Sequence, residues 1–153
     1  MFQIDNANIL IVDDHPENLK VLGSLLNGEG FNIFIAQSGQ QALTEIEKIK
    51  PDLILLDVMM PVLDGFETCT QIKSKPSLKD IPVIFLTAKT EIDEVVKGFN
   101  VGAVDYITKP FNSKDLIVRV RNHLELKFSR EIIQETNQIL EEKVSERTQE
   151  LEK

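Results

Sequence analysis

Five short apolar runs alternate with segments of helical periodicity, and this alternation restricts the chain more than any single motif. The runs are Asn8-Ile9-Leu10-Ile11-Val12, Phe31-Asn32-Ile33-Phe34-Ile35-Ala36, Asp52-Leu53-Ile54-Leu55-Leu56, Pro82-Val83-Ile84-Phe85-Leu86 and Val104-Asp105-Tyr106-Ile107. Three of them are almost wholly apolar, as strands covered on both faces are. Amphipathic segments lie between them at roughly 16–28, 38–49, 64–74 and 90–100. Pro16 suits the first turn of the first helix, Gly28 and Gly30 suit its exit, and Ser38 with Gln41 three residues on reads as a capping box. Strict strand–helix alternation implies right-handed crossovers and an α/β, doubly wound parallel sheet with helices on both faces. Functional groups in such sheets gather at the carboxyl ends of the strands.

Beyond Pro110 the character changes. From Phe111 to Lys153 there is no Gly and no Pro. A fifth helix starting near Ser113, with Ser113 or Asn112 as cap and Asp115 in its first turn, therefore meets no stop signal. Run to Lys153 it would be about 60 Å long, far more than covering a sheet requires. Leu126, Ile133, Leu140 and Arg147 share one heptad position, and Arg130, Asn137, Val144 and Leu151 share another. That spacing predicts a short coiled coil with Asn137 setting its register, and hence a parallel homodimer. Residues 129–153 carry seven acids and four bases, so the rest of this surface is solvated. The expected organisation is one domain over residues 1–127 and a helical connector over 128–153. Its heptads run to the last residue, as in a connector leading to an output module of a longer protein.

Charge excludes several function classes. Lys and Arg number 17 against 25 acids, a net charge of −8. A duplex or an anionic membrane is repelled by that field unless a basic patch is segregated, and none is visible along the chain. Neither direct nucleic-acid contact nor membrane insertion is expected, and no apolar run is long enough for a span. The N-terminus lacks the basic and apolar regions of a secretory signal. Cys69 is alone, which excludes an internal disulfide and a thiolate cluster, and His15 and His123 are too far apart in sequence for a multi-histidine metal site. The expected compartment is a reducing cytoplasm.

Asp13 and Asp14 follow the first apolar run and Asp57 follows the third. Neighbouring parallel strands bring these ends to one edge. Like charges about 4 Å apart repel by roughly 4 kcal/mol at an effective dielectric near 20. Protonation relieves this, and so does a hard divalent cation with oxygen ligands. Mg²⁺ suits a site with one or two direct carboxylates, because it keeps waters and leaves positions for phosphate oxygens. Thr87 follows the fourth run and Lys109 the fifth, adding a hydroxyl and an ammonium to the same edge. A carboxylate nucleophile, a divalent ion, a cation and a hydroxyl donor are the set needed to accept a transferring phosphoryl group.

Ile11-Val12-Asp13-Asp14, Leu55-Leu56-Asp57-Val58-Met59-Met60-Pro61, Asp64-Gly65, Leu86-Thr87-Ala88 and Lys109-Pro110-Phe111 together resemble the signature of response-regulator receiver domains of two-component signalling, over roughly residues 6–127. The resemblance implies a flavodoxin-like sheet of order 2-1-3-4-5. It implies that Asp57 takes a phosphoryl group from a phosphohistidine of a histidine kinase or phosphotransfer protein. Asp14 and Asp57 would bind Mg²⁺ through their side chains, Met59 through its backbone carbonyl, and Asp13 mainly through water. Thr87 and Tyr106 would be the switch pair that reads the phosphoryl group, and Lys109-Pro110 would be cis. Met59 and Lys89 would flank the path of the hydrolytic water. Met59 cannot orient water by hydrogen bonding, so slow loss of the phosphoryl group is expected. The tail from Leu140 to Lys153 resembles connectors to histidine kinase, diguanylate cyclase or phosphatase outputs, so that a shift of the fifth strand and helix would alter the coiled-coil pair.

Two other functions compete. A Mg²⁺-dependent phosphatase of the haloacid-dehalogenase type also uses an aspartate after a strand, but needs a second acid two residues on, where this chain has Met59. A pure interaction module would not need Asp57, Thr87 and Lys109 together. The receiver reading makes the chain a regulatory domain rather than an enzyme. His15, beside Pro16, reads as an exposed loop residue and Cys69 as an apolar filler. Leu124-Glu125-Leu126-Lys127 after His123 does not resemble the box of a phosphorylated kinase histidine, and no phosphate-binding glycine loop occurs.

Overall fold

The structure, a computed structural model, describes residues 4–88 and 92–151, the last seven by their backbone alone. Five strands and five helices alternate: β1 (Asn8–Val12), α1 (Pro16–Asn27), β2 (Asn32–Ala36), α2 (Gly39–Ile49), β3 (Leu53–Asp57), α3 (Gly65–Lys73), β4 (Val83–Thr87), α4 (Ile92–Asn100), β5 (Asp105–Thr108) and α5 (Ser113–Leu151). All pairings are parallel and the sheet order is β2-β1-β3-β4-β5. This is the doubly wound sheet that the alternation implied, in the order that the resemblance implied.

The two-residue period of the strands sorts their side chains between two cores. On one face Ile9, Ile11, Leu53, Leu55, Ile84 and Leu86 meet Leu19, Leu22 and Leu26 of α1 and Leu116, Val120 and Leu124 of α5. On the other, Leu10, Val12, Ile54, Leu56 and Phe85 meet Ala42 and Ile46 of α2 and Phe66, Cys69 and Ile72 of α3. β3 and β4 are buried along their whole length, whereas Phe34 and Ile35 on the edge strand β2 are exposed. Cys69 is a core filler as expected; its Sγ donates to the Val101 carbonyl, and burial pushes its pKa up to about 11.

Several boundaries differ from the sequence reading. Asp57 and Thr87 are the last residues of β3 and β4 rather than the first beyond them. The ladder runs one residue further, pairing Asp57 with Leu86 and Thr87 with Thr108, and is closed by the Val58 amide on the Leu86 carbonyl and the Lys109 amide on the Thr87 carbonyl. The box at Ser38 is half formed: Ser38 Oγ accepts from the Gln41 amide, but Gln41 Oε1 accepts from the amide of Gln37 instead of Ser38. A full capping box sits at α3, between Asp64 and Glu67. Asn112, not Ser113, caps α5, its Oδ1 accepting from the amides of Lys114 and Asp115.

α5 has 39 residues, about 58 Å at 1.5 Å per residue. Arg121 ties it to Glu29 at 3.1 Å, and Lys127 ties it to Asp52 at 3.0 Å. From residue 130 to 144 every side chain is exposed. Ile133, Leu140 and Val144 of the expected seam are among them, and Leu126 before them is exposed too, but so are Ile132 and Ile139, so the apolar stripe is wider than two heptad positions. The side chains of Arg147 and Leu151 lie outside the described residues. Among the described residues no helix is long and apolar enough to cross a membrane.

Candidate functional site

β1 and β3 are neighbours, so their carboxyl ends lie side by side and bring Asp13, Asp14 and Asp57 together. One oxygen from each, with one ring nitrogen of His15, lies within 4.8 Å of all the others. Asp13 is wholly buried and Asp57 is 3 % exposed. Lys109, carried in from the end of β5, places its Nζ 3.2 Å from Asp57 Oδ1 and 3.3 Å from Asp13 Oδ2. The Lys109-Pro110 bond is cis, as the resemblance implied. Three carboxylates thus cluster at this edge, and one ammonium pairs with two of them.

The acids are satisfied unequally. Asp13 Oδ1 accepts from the His15 amide at 2.9 Å and lies 3.2 Å from His15 Nδ1, while Oδ2 accepts from Asn18 Nδ2 and from Lys109. Asp14 Oδ1 is buried and accepts no hydrogen bond among the described residues; His15 Nδ1 is 3.0 Å away but poorly placed to donate to it. Asp57 Oδ2 accepts none among the described residues. Buried carboxylate oxygens without donors are costly. Their chemistry, hard oxygens at one edge beside a lysine, fits a divalent cation such as Mg²⁺.

The protonation balance carries the same signature. Burial first, then the charge of Asp13, pushes the Asp57 carboxyl up, against the pull of Lys109. Burial works against the Lys109 ammonium, but Asp57 and Asp13 outweigh it and raise its pKa. The hydrogen bond to Asp13, then the charge of Asp14, raises His15.

Neighbouring elements fix this geometry. Gly65 opens α3 directly against the acceptor strand; a Cβ there would lie 2.3 Å from the Asp57 carbonyl oxygen and 2.8 Å from Val58 Cα. Thr87, buried, ends β4 beside Asp57. Tyr106 leans under α4, its hydroxyl donating to the Glu94 carbonyl at 2.6 Å and its ring packed between Phe85 and Phe99. Gly98 makes room for it, since a Cβ there would overlap the hydroxyl. Met59 is exposed on the loop after β3. Lys89 lies outside the described residues.

The structure brings Asp13, Asp14, Asp57 and Lys109 to one pocket, as the sequence reading expected, with Thr87 at its edge and Tyr106 under α4. The sequence reading missed His15, Asn18 and Gly98, and it quoted Gly65 only as part of the loop motif. His15 is exposed as expected, yet it begins α1 and its ring rests on Asp13 and Asp14. The available signal was Asn18 one turn into a helix that starts beside two acids.

Known proteins place this architecture. A sequence model of the response regulator receiver domain matches residues 9–121. The DNA-binding response regulator MtrA of Mycolicibacterium smegmatis is 42 % identical over 116 residues, 76 % of this chain and 50 % of that protein. A probable cyclic di-GMP phosphodiesterase of Vibrio cholerae is 40 % identical over all 153 residues, which cover 34 % of it. The chain therefore spans a third to a half of the length of these relatives. Among solved structures, a putative response regulator from Chloroflexus aurantiacus superposes with a TM-score of 0.76 at 37 % identity, covering 79 % of this chain and 99 % of that one. The chemotaxis protein CheY4 of Vibrio cholerae superposes with a TM-score of 0.73 at 31 % identity, covering 76 % and 97 %. The sheet order, the acidic pocket and these likenesses agree, and the chain belongs to the response regulator receiver domains of two-component phosphorelay signalling.

Proposed function

We propose that Asp57 is the phosphoacceptor of this receiver, taking a phosphoryl group from the phosphohistidine of a histidine kinase or phosphotransfer protein. A carboxylate oxygen of Asp57 attacks phosphorus, the P–O bond forms as the P–N bond breaks, and the bonding pair returns to the imidazole nitrogen. The observation that carries this reading is the cluster of three carboxylates at the ends of β1 and β3, two of which share one lysine. Asp14 and Asp57, with the Met59 carbonyl, would hold Mg²⁺, and Asp13 would reach it mainly through water, because its own oxygens are taken by His15, Asn18 and Lys109. The ion supplies charge neutralisation for the incoming phosphoryl oxygens. Lys109 pairs with one of those oxygens and Thr87 donates to another. Tyr106 and Thr87 read the change, and a differential stabilisation of about 2–4 kcal/mol suffices to invert a resting population of a few per cent.

Residues 1–127 act as the regulatory domain and 128–153 as a connector whose exposed apolar stripe supports a parallel coiled-coil pair. The relative named a probable cyclic di-GMP phosphodiesterase, aligned over the whole chain including α5, supports an attached enzymatic output. The DNA binding in the name of MtrA belongs to a protein twice as long as the matched region. The net charge of −8 supports a chain that does not itself contact nucleic acid or insert into a membrane, and the single cysteine supports a reducing cytoplasm.

Acetyl phosphate with Mg²⁺ followed by mass measurement tests the acceptor. The expected result is the gain of one phosphoryl group, lost in Asp57→Ala. Steady release of phosphate from small esters would favour a phosphatase, and no modification by any donor would leave an interaction module. For the pair, a cysteine at Asn137, with Cys69 replaced, should crosslink at micromolar protein concentration; its failure to do so counts against the parallel pair.

A further inference from the structure

At the amino ends of β4 and β5, opposite the acid pocket, a cleft of about 200 Å³ opens where α5 leaves the domain. Its charged walls are Lys73 at the end of α3, Lys79 and Asp80 before β4, and His123, Lys127 and Arg130 on α5. Four permanent cations and a histidine thus face one carboxylate, in a chain whose net charge is −8. The sequence shows no basic patch because these residues come from segments about fifty positions apart; the fold assembles one.

Three of the four cations make no ion pair with an acid among the described residues. Lys73 Nζ donates only to backbone carbonyls, 2.5 Å to Ile81 and 2.9 Å to Lys79, and has no carboxylate partner among the described residues. Lys79 and Arg130 likewise make no ion pair among the described residues. Lys127 is held by Asp52 and Glu131, and His123 by Asp105, so these two are fixed walls. Burial pushes the Lys73 ammonium down against the pull of Cys69 and Asp80, and the charge of Arg130 adds to the push. Gly102, with φ of +108°, turns the chain across the floor, and a Cβ there would press on the Lys73 stem at 2.9 Å. The volume holds several waters at about 30 Å³ each, and so has room for one or two phosphoryl groups.

We infer that this cleft binds a small phosphate-bearing anion, held by Lys73, Lys79 and Arg130. Phosphate oxygens accept from ammonium and guanidinium donors with charge assistance, and their charge relieves the crowding of cations. Because Arg130 lies on α5 while Lys73 and Lys79 lie on the domain, the bound anion bridges the two and braces the root of the connector. The phosphoacceptor is not involved, so the site stands independently of the role of Asp57.

The test is titration calorimetry of the 153-residue chain with inorganic pyrophosphate in the absence of Mg²⁺, alongside amide NMR. The expected result is 1:1 binding that weakens with salt, shifts the amides of Gly102, Val104 and Arg130, and falls by about tenfold or more in a Lys79→Gln/Arg130→Gln variant. Both residues are exposed, and an unchanged thermal midpoint of that variant confirms its fold. ATP binding tighter than pyrophosphate would identify a nucleotide as the ligand class, and equal binding would identify free phosphate chemistry; both support the site. Absence of heat and of shifts, shifts centred on Asp13 and Asp57, or affinity unchanged in the double variant would overturn it.

Discussion

Asp57 and Asp105 are both largely removed from water, one at the carboxyl end of β3 and the other at the amino end of β5, yet their protons are held in opposite ways. Asp57 shares a single lysine with Asp13, and burial and that like charge push its carboxyl up. Burial also pushes Asp105 up, but the Tyr106 amide, His123 and Arg119 outweigh it and hold its carboxyl below the usual range. Asp57 lies deeper, and it also has fewer donors: burial works on both carboxyls, but only Asp105 has the partners to outweigh it. A carboxylate with a full set of partners ties elements together, here β5 to α5 at two positions one turn apart. A carboxylate left short of partners is poised for something that arrives from solution, and its discomfort is relieved only then.

This contrast predicts the order and sign of several effects. Mg²⁺ at a hundredfold excess over its dissociation constant should stabilise the fold by about 2.7 kcal/mol, read as an upward shift in the urea midpoint. Asp14→Asn should erase most of that gain; an equal gain in the variant would remove Asp14 from the ligand set. Asp105→Ala should cost about 2 kcal/mol with or without Mg²⁺, because Arg119 and His123 lose their partner. Asp57→Asn should have the opposite sign at neutral pH without metal, stabilising by about 1 kcal/mol once the lost attraction to Lys109 is subtracted.

The pH dependence sharpens the pair further. The folded pKa of Asp57 is raised, so its favourable contribution is complete below the unfolded value near 4 and is lost as pH rises through the folded one. The gain from Asp57→Asn should therefore shrink towards zero on acidification. The folded pKa of Asp105 is lowered, so its contribution is present above the unfolded value and is lost as pH falls through the folded one. The cost of Asp105→Ala should be constant from neutral pH to about 5 and vanish only in stronger acid. Denaturant midpoints of the two variants across pH 3–7 would show curves of opposite slope; parallel curves would break the comparison.

Much of this was legible in the sequence because it follows from periodicity. The runs around Leu55 and Phe85 have no face for water, so they had to be central strands, and Asp57 and Thr87 had to lie at their ends. That these two belong to the ladder itself depended on single hydrogen bonds from Val58 and Lys109, which no pattern of side chains encodes. His15 and Asn18 were hidden because a polar residue near a helix start looks the same whether or not it rests on a buried acid. Gly65 and Gly98 matter through what stands opposite them, the Asp57 carbonyl and the Tyr106 hydroxyl, and that is a property of the assembled fold. The cationic cleft was invisible for the same reason, being assembled from α3, the approach to β4 and α5. Along α5, Ile132 and Ile139 fall off the two heptad positions, and only the exposure of the whole stretch reveals the wider stripe.

The unbroken run of α5 has a mechanical consequence. From the last clamp at Lys127 to Leu151 the helix projects about 36 Å, with no glycine or proline to absorb bending. It is a lever with a fixed fulcrum. A tilt of about 4° at its base becomes a displacement of roughly 2.5 Å at its tip, so a rearrangement too small to disturb the packing of the sheet is amplified into a movement of about half a helical turn.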